Sequence, residues 1–185
     1  GIPTGGMGAV CPIQLQKEYQ DLIKEQIIEP TIYGIKVEQL AYKGVLTFSI
    51  IIQEDRPVLV DYHVRFNDPA TQAMIPLINT DIVEVIKAVS EDRISSINLE
   101  LSHESTVAVV VASNGYPMHP EIGKSINLKY PYLVNNMLHR LPLVFTGAID
   151  GENVKSLKTT GGRCFTVVGR GKSIKTANEK AYRFI

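Results

Sequence analysis

Apolar side chains recur at helical spacing after Pro12, where Leu15, Tyr19, Leu22, Ile23 and Ile27 fall along one side of a 3.6-residue period. Proline tolerates a first helical position because its missing N–H would have no partner there, so Pro12 opens this predicted helix. Pro30 interrupts it, and a second short helix is predicted over residues 31–40. The rhythm changes after Gly44. Residues 45–52 and 58–66 are rich in β-branched and aromatic side chains, with the polar Gln53-Glu54-Asp55-Arg56 between them, which predicts an antiparallel hairpin. Asp68 and Pro69 read as the N-cap and first position of a helix over 70–77. A further helix is predicted over 81–91, with Ile82, Val85, Ile86 and Val89 on its apolar side.

Residues 91–105 are polar and irregular, and a domain boundary is expected there. Beyond it, 106–112 predicts a buried strand, followed by an Asn114-Gly115-Tyr116-Pro117 turn. Residues 141–149 and 163–169 predict further strands, with turns at 150–151 and 160–162 between them. Ser173 caps a last helix along which Ala177, Ala181 and Tyr182 are spaced. No internal repeat, heptad or low-complexity tract interrupts this order.

Composition narrows the class. An apolar fraction of 44% with 21% charged residues is that of a globular chain, and 185 residues can bury a real core. No apolar run has the ~18 residues of a membrane helix. The first residues, Gly1-Ile2-Pro3-Thr4, show no basic n-region of a signal peptide, and a cytoplasmic location is expected. Cys11 and Cys164 have no metal-ligand spacing and read as reduced structural thiols. The net charge of zero hides a split: residues 1–100 carry 8 basic and 14 acidic side chains, residues 101–185 carry 11 and 5. That asymmetry suggests two modules. The basic half has neither an Arg/Lys run nor an aromatic platform, so nucleic acid is not an expected partner.

The chemistry is concentrated between Val60 and Pro69. Alternation along the predicted strand sends Asp61, His63 and Arg65 to one face and Tyr62, Val64 and Phe66 to the other. Two readings stand on periodicity: a solvated face decorated with ion pairs, or a ligand site with a carboxylate on a cation and an arginine on phosphate oxygens. The Gly5-Gly6-Met7-Gly8 cluster offers backbone N–H groups to a carboxylate or phosphate. Arg163, after two glycines, has a phosphate or adenine contact or a structural strand start open to it. Tyr116-Pro117 reads as a turn, Arg170 and Lys172 as a solvated loop, and His103, His119 and His139 as surface residues.

The string Gly5-Gly6-Met7-Gly8-Ala9 followed by Pro12 resembles the glycine-rich motif in the ATP-grasp region of phosphoribosylamine–glycine ligases. The resemblance continues in order through Gly44-Val45-Leu46, Val64-Arg65-Phe66, Asp68-Pro69 with Thr71-Gln72, and Ile75-Pro76-Leu77 with Asp81. It then runs through Ala112-Ser113, Gly115-Tyr116-Pro117, Gly123-Lys124, Gly161-Gly162-Arg163 and the helix from Ala177 to Tyr182. It implies an α+β fold: an antiparallel-sheet ATP-grasp subdomain over 1–100, then a small β-rich domain over 101–185, similar to a rudiment single hybrid motif and closed by a helix. It also implies an ATP-dependent ligase of de novo purine biosynthesis that joins glycine to 5-phosphoribosylamine through a glycyl phosphate, with Mg²⁺ or Mn²⁺.

Carried over by position, Asp61 and His63 stand where the family binds metal with Glu and Asn, and Arg65 where its arginine contacts the transferred phosphoryl group. Gly5, Gly6, Met7, Asp68 and Pro69 are the implied substrate contacts. The chain departs from the family at Asp61, His63, Asn67, Ala70 and Val10-Cys11. The imidazole nitrogen of His63 is a poor ligand for Mg²⁺. The family's N-terminal and lid domains have no counterpart in these residues, so the fragment is expected to be inactive alone. The alternative is a non-catalytic ATP-grasp descendant that binds a nucleotide or a partner protein.

Overall fold

A computed structural model describes residues 1–127, 142–153 and 155–185. His139 and the predicted start of a strand at Leu141 lie outside the described residues. The elements run β1 (Gly8–Cys11), α1 (Lys17–Ile23), α2 (Glu29–Val37), β2 (Thr47–Gln53), β3 (Arg56–His63), α3 (Ala70–Met74) and α4 (Ile82–Ser90). Then follow β4 (Ser105–Ala112), β5 (Leu143–Thr146), β6 (Ile149–Asp150), β7 (Lys158–Thr159), β8 (Arg163–Gly171) and α5 (Ile174–Phe184). Helices and antiparallel sheets are thus mixed, as an α+β chain requires.

These elements gather into two compact units, each built from separated stretches. One comprises Gly1–Pro12, Asp68–Asn79 and Leu101–Ile185; the other comprises Ile13–Asn67 and Thr80–Glu100. The chain passes from the second of these units to the first at Glu100–Leu101. Gly1–Pro12 and Asp68–Asn79, however, group with the C-terminal stretch, because β1 pairs with β4 and α3 packs on both strands.

The first unit is organised around a four-stranded sheet in the order β1-β4-β8-β5, with every pairing antiparallel. Its central strands β4 and β8 bury Val107, Ala108, Val110, Phe165, Val167 and Val168, which is why 106–112 reads as an unbroken apolar run. The Thr106 hydroxyl, buried in the same layer, donates to the Ala73 carbonyl of α3 at 2.6 Å, so this polar group enters the core with a partner. Ala73, Ala108 and Val168 form the packed centre, flanked by Ala9 and Cys11. Helix α5 closes the unit. Ser173 caps it by accepting from the Thr176 N–H at 3.2 Å, and Ala177 and Ala181 are fully buried against the sheet. The backbone at Gly169 approaches so closely that a Cβ there would lie 1.9 Å from the Ala177 carbonyl oxygen.

In the second unit the chain stays helical from Lys17 to Val37. Pro30 does not break it. Residues Lys24–Ile28, just before the proline, adopt a π-helical stretch that links α1 to α2. A π turn changes the hydrogen-bond register where proline has no N–H and its ring crowds the preceding carbonyl. The helix also begins at Lys17 rather than at Pro12. Strands β2 and β3 form the predicted hairpin, turning at Glu54 and Asp55. Both have positive φ, 49° and 59°, as a two-residue type I′ turn requires. In α4, Asp81 accepts from the Val83 N–H at 2.8 Å. The covered stripe runs through Ile82, Val85, Ala88 and Val89, whereas Ile86 is 58% exposed.

Candidate functional site

The hairpin of the second unit carries one group of candidate residues. Register shifts between Ser49 and Ile50, where Asp61 pairs with Ser49 and Leu59 with Ile50, leaving Val60 as the extra residue of a β-bulge. Beyond the bulge, Asp61 and His63 share a face, with the Asp61 Oδ2 and the His63 Nδ1 3.9 Å apart. The Ser49 hydroxyl lies 2.9 Å from the His63 Nε2, diagonally across the hairpin. Nothing in the sequence marks Ser49, because a serine inside an apolar strand gives no signal without the cross-strand register. β3 ends at His63, so Arg65 stands in the following bend rather than as the third member of the strand face. Its Nη1 donates to the adjacent Phe66 carbonyl at 3.2 Å, and its own carbonyl accepts from the Thr47 hydroxyl at 3.0 Å.

A divalent ion at this face would meet one carboxylate and one imidazole nitrogen. No cluster of three or more His, Cys, Asp or Glu side chains with metal-site geometry occurs among the described residues. With Nε2 engaged by Ser49, the donor left to a metal is Nδ1, beside the Asp61 carboxylate. A mixed oxygen and nitrogen pair does not suit Mg²⁺, which takes oxygen ligands and keeps water. It suits a borderline ion such as Mn²⁺ better.

The first unit carries the second group, at a cavity of about 370 Å³. Asp68, Gln72, Tyr116, Thr146, Arg163 and Thr166 supply its polar wall. Asp68 does not cap α3: that helix has no side-chain cap, and the Asp68–Pro69 peptide bond is cis. The Asp68 carboxylate is engaged elsewhere. Its Oδ1 accepts from the Gln72 Nε2 at 3.1 Å, and its Oδ2 lies 3.3 Å from the Arg163 Nη2. The Arg163 Nη1 donates to the Gly6 carbonyl at 3.1 Å, and the Gly5 N–H donates to the Tyr116 hydroxyl at 2.9 Å. Met7 is tied to the sheet, its carbonyl accepting from the Val110 N–H at 3.0 Å.

Gly6 sits directly against the Asp68–Pro69 peptide. A Cβ at Gly6 would fall 2.6 Å from the Pro69 Cδ and 2.8 Å from the Asp68 carbonyl oxygen, so only glycine fits that approach. The predicted Gly5, Gly6, Asp68 and Pro69 are therefore brought together around Arg163. Tyr116, read from sequence as a turn residue, is also a partner of the glycine cluster. The Gly5 N–H, predicted to face a ligand, is occupied by that tyrosine. The larger cavity of the other unit, about 800 Å³, has no charged side chain in its wall, which includes Ile27, Pro30, Ile35, Leu46, Leu59 and Val64. Burial pushes both the Cys11 and Cys164 thiols up, which keeps them protonated and unreactive near neutrality. No helix among the described residues is long and apolar enough to cross a membrane.

With this geometry in hand, two family models match in sequence. One, described as phosphoribosylglycinamide synthetase, ATP-grasp (A) domain, covers residues 1–71; the other, described as phosphoribosylglycinamide synthetase, C domain, covers 106–185. A phosphoribosylamine–glycine ligase of Caldanaerobacter subterraneus is 36% identical over all of the chain and 43% of that relative. The chloroplastic phosphoribosylamine–glycine ligase of Arabidopsis thaliana is 36% identical over 98% of the chain and 34% of its own length. The crystal structure of phosphoribosylamine–glycine ligase from Thermotoga maritima superposes with a TM-score of 0.83 at 28% identity, covering 100% of this chain and 44% of that one. The chain thus spans less than half the length of these relatives.

Proposed function

Since the chain belongs to the phosphoribosylglycinamide synthetase family, we propose that it is the C-terminal ATP-grasp and C-domain part of a carbon–nitrogen ligase. That ligase uses ATP to join glycine to 5-phosphoribosylamine in de novo purine biosynthesis. The observation that carries this reading is the ordered match of both family models along one chain, together with the gathering of Gly5, Gly6, Asp68 and Pro69 around Arg163. In a ligase that passes through an acyl phosphate, negative charge crowds at the transferred phosphoryl group, and fixed cations answer it.

Arg65 is the residue proposed for that role, exposed at the bend that ends the hairpin. Asp61 and His63 are proposed to hold the divalent ion, which would neutralise phosphate oxygens when bound. Gly5, Gly6, Met7, Asp68 and Pro69 are proposed to shape the substrate side. The nucleotide contacts and remaining substrate contacts are assigned to the N-terminal and lid portions that the relatives' greater length provides. The cytoplasm is the proposed compartment, although the Arabidopsis relative is chloroplastic by name.

The test is ADP release by the complete protein, measured with and without glycine and 5-phosphoribosylamine. Release that depends on both substrates and is lost in Arg65→Ala supports the assignment. Release unchanged in that variant removes Arg65 from the chemistry. Absence of substrate-dependent release from folded complete protein favours the non-catalytic alternative, to which the replacement of a hard oxygen donor by His63 already points.

A further inference from the structure

We propose that Asn114, in the turn that follows β4, is a site of spontaneous modification. Its side chain closes on the Gly115 nitrogen and hydrolyses to aspartate and isoaspartate, and the product loosens the glycine cluster that Tyr116 holds. This chemistry does not depend on the ligase reading.

The reaction needs only these two residues and water. The Gly115 nitrogen bonds to the Asn114 Cγ, the Cγ–Nδ2 bond breaks, and ammonia leaves with the proton that the Gly115 nitrogen gives up. Water then opens the cyclic imide. Attack at Cγ yields aspartate. Attack at the main-chain carbonyl carbon yields isoaspartate, whose backbone runs through Cβ and Cγ and is one carbon longer.

Sequence and structure together single out Asn114. Of the chain's asparagines it alone precedes glycine; each of the others precedes a residue whose side chain shields the following nitrogen. The fold requires that glycine, because Gly115 has a φ of 80° and a Cβ there would lie 2.2 Å from the His119 carbonyl oxygen. Asn114 and Gly115 are both exposed. Among the described residues the Gly115 N–H donates to no partner, so no hydrogen bond has to break at the attacking nitrogen. The Asn114 Nδ2 donates to the Glu121 Oε1 at 2.9 Å, a single solvent-exposed contact of the kind that opens readily.

The turn has no slack for the product. The Ser113 N–H donates to the Gly162 carbonyl at 2.7 Å, and the Ser113 hydroxyl to the Gly161 carbonyl at 2.9 Å. The Tyr116 N–H returns to the Ser113 carbonyl at 3.3 Å, and the Glu121 N–H donates to the Asn114 carbonyl at 2.9 Å. An extra backbone carbon between these anchors breaks at least one of them. Either product also exchanges the amide donor facing Glu121 for a negative charge. The Asn114 amide and Lys124 hold the Glu121 carboxyl below the usual carboxylate range, so two carboxylates then meet near neutrality. Tyr116 lies so close to Gly162 that a Cβ there would sit 2.1 Å from its ring, and its hydroxyl accepts from the Gly5 N–H. Displacing the turn therefore releases Gly5.

The experiment incubates the folded protein at physiological temperature in mildly alkaline buffer made with ¹⁸O water. Peptide mass spectrometry scores label at every asparagine, and isoaspartyl methyltransferase scores the isomer. Asn114 is expected to take up label about ten-fold faster than any other asparagine, a barrier lower by about 1.4 kcal/mol. Asn114→Gln, whose longer side chain must close a six-membered ring, should leave that peptide unlabelled over the same interval. The Gly5 amide should exchange with solvent faster in aged than in fresh protein, whereas Asn114→Gln, aged alike, should keep its own fresh rate. Label appearing first at another asparagine, or at Asn114 only after denaturation, overturns the modification site. Label at Asn114 with an unchanged Gly5 exchange rate overturns the link to the glycine cluster.

Discussion

The Gly5 N–H donates to the Tyr116 hydroxyl at 2.9 Å across 111 residues of sequence. This bond pins the glycine cluster to the turn that follows β4, on the same side as Arg163, which holds the next carbonyl along at Gly6. Replacing Tyr116 by Phe removes the hydroxyl and leaves the ring. The expected cost is about 1 kcal/mol of unfolding free energy, the net worth of one neutral hydrogen bond. The Gly5 amide should also exchange with solvent faster than in the parent. Denaturant unfolding and amide exchange of the variant measure both, and an unchanged Gly5 exchange rate would show that the bond does not hold the loop.

Helix α5 depends on the absence of a side chain at Gly169. A Cβ at that position would lie 1.9 Å from the Ala177 carbonyl oxygen and 2.7 Å from the Ala181 nitrogen, both in the helix backbone, which cannot turn aside as a flexible side chain would. Gly169→Ala is therefore expected to destabilise the first unit by about 3 kcal/mol or more, the upper range for overpacking a core. A lowered thermal midpoint checks this. Gly34→Ala, where a Cβ meets nothing within 4 Å and the residue is helical, should leave the midpoint equal or slightly higher.

What the sequence makes legible follows from how local each determinant is. The strands over 105–112 and 163–171 announce themselves as apolar, β-branched runs, and the hairpin shows its own polar turn. The short strand Gly8–Cys11 does not, because its glycine-rich residues become a strand only by pairing with 106–109, nearly a hundred residues on. The same long-range pairing draws Gly1–Pro12 into the C-terminal unit and makes the two units interleave. Pro30 argues for a break, yet neighbouring residues absorb it in a π turn, a choice of hydrogen-bond register that periodicity does not encode. In the site, Gly5, Gly6, Asp68 and Pro69 carry the family pattern and are found together. Tyr116 and Ser49 act through a partner on a distant element or across the hairpin, a role their own neighbourhoods do not specify, whereas Gln72 meets Asp68 only four residues away.

Cys164 makes stability depend on alkaline pH. Burial pushes its thiol up, with the Ser113 backbone pulling weakly the other way, and Cys11 is raised by burial too. A raised folded pKa means that the unfolded chain releases the proton first, from about pH 8.5 upward. The associated stability is complete below that pH and is lost as pH rises through the folded value. Unfolding midpoints should thus fall between pH 8 and 10 by more in the parent than in Cys164→Ala, after correction for the variant's lower stability at neutral pH. Equal slopes would show that Cys164 does not contribute. The residual slope in the variant belongs in part to Cys11.

The metal role proposed for Asp61 and His63 predicts which ion the hairpin would prefer. One imidazole nitrogen and one carboxylate oxygen, 3.9 Å apart, favour Mn²⁺ over Mg²⁺, because nitrogen ligation rewards the softer ion. His63→Asn exchanges that nitrogen for a hard carbonyl oxygen and should narrow the Mn²⁺ preference. Ser49→Ala leaves both proposed ligands but frees the His63 ring from its 2.9 Å partner, so affinity should fall on the order of ten-fold with little change in ion preference. Electron paramagnetic resonance of Mn²⁺, competed with Mg²⁺ on the parent and both variants, separates these effects without requiring turnover. If His63→Asn retains the parent's discrimination, the imidazole is not a ligand, and the solvated-face reading of this strand is the correct one.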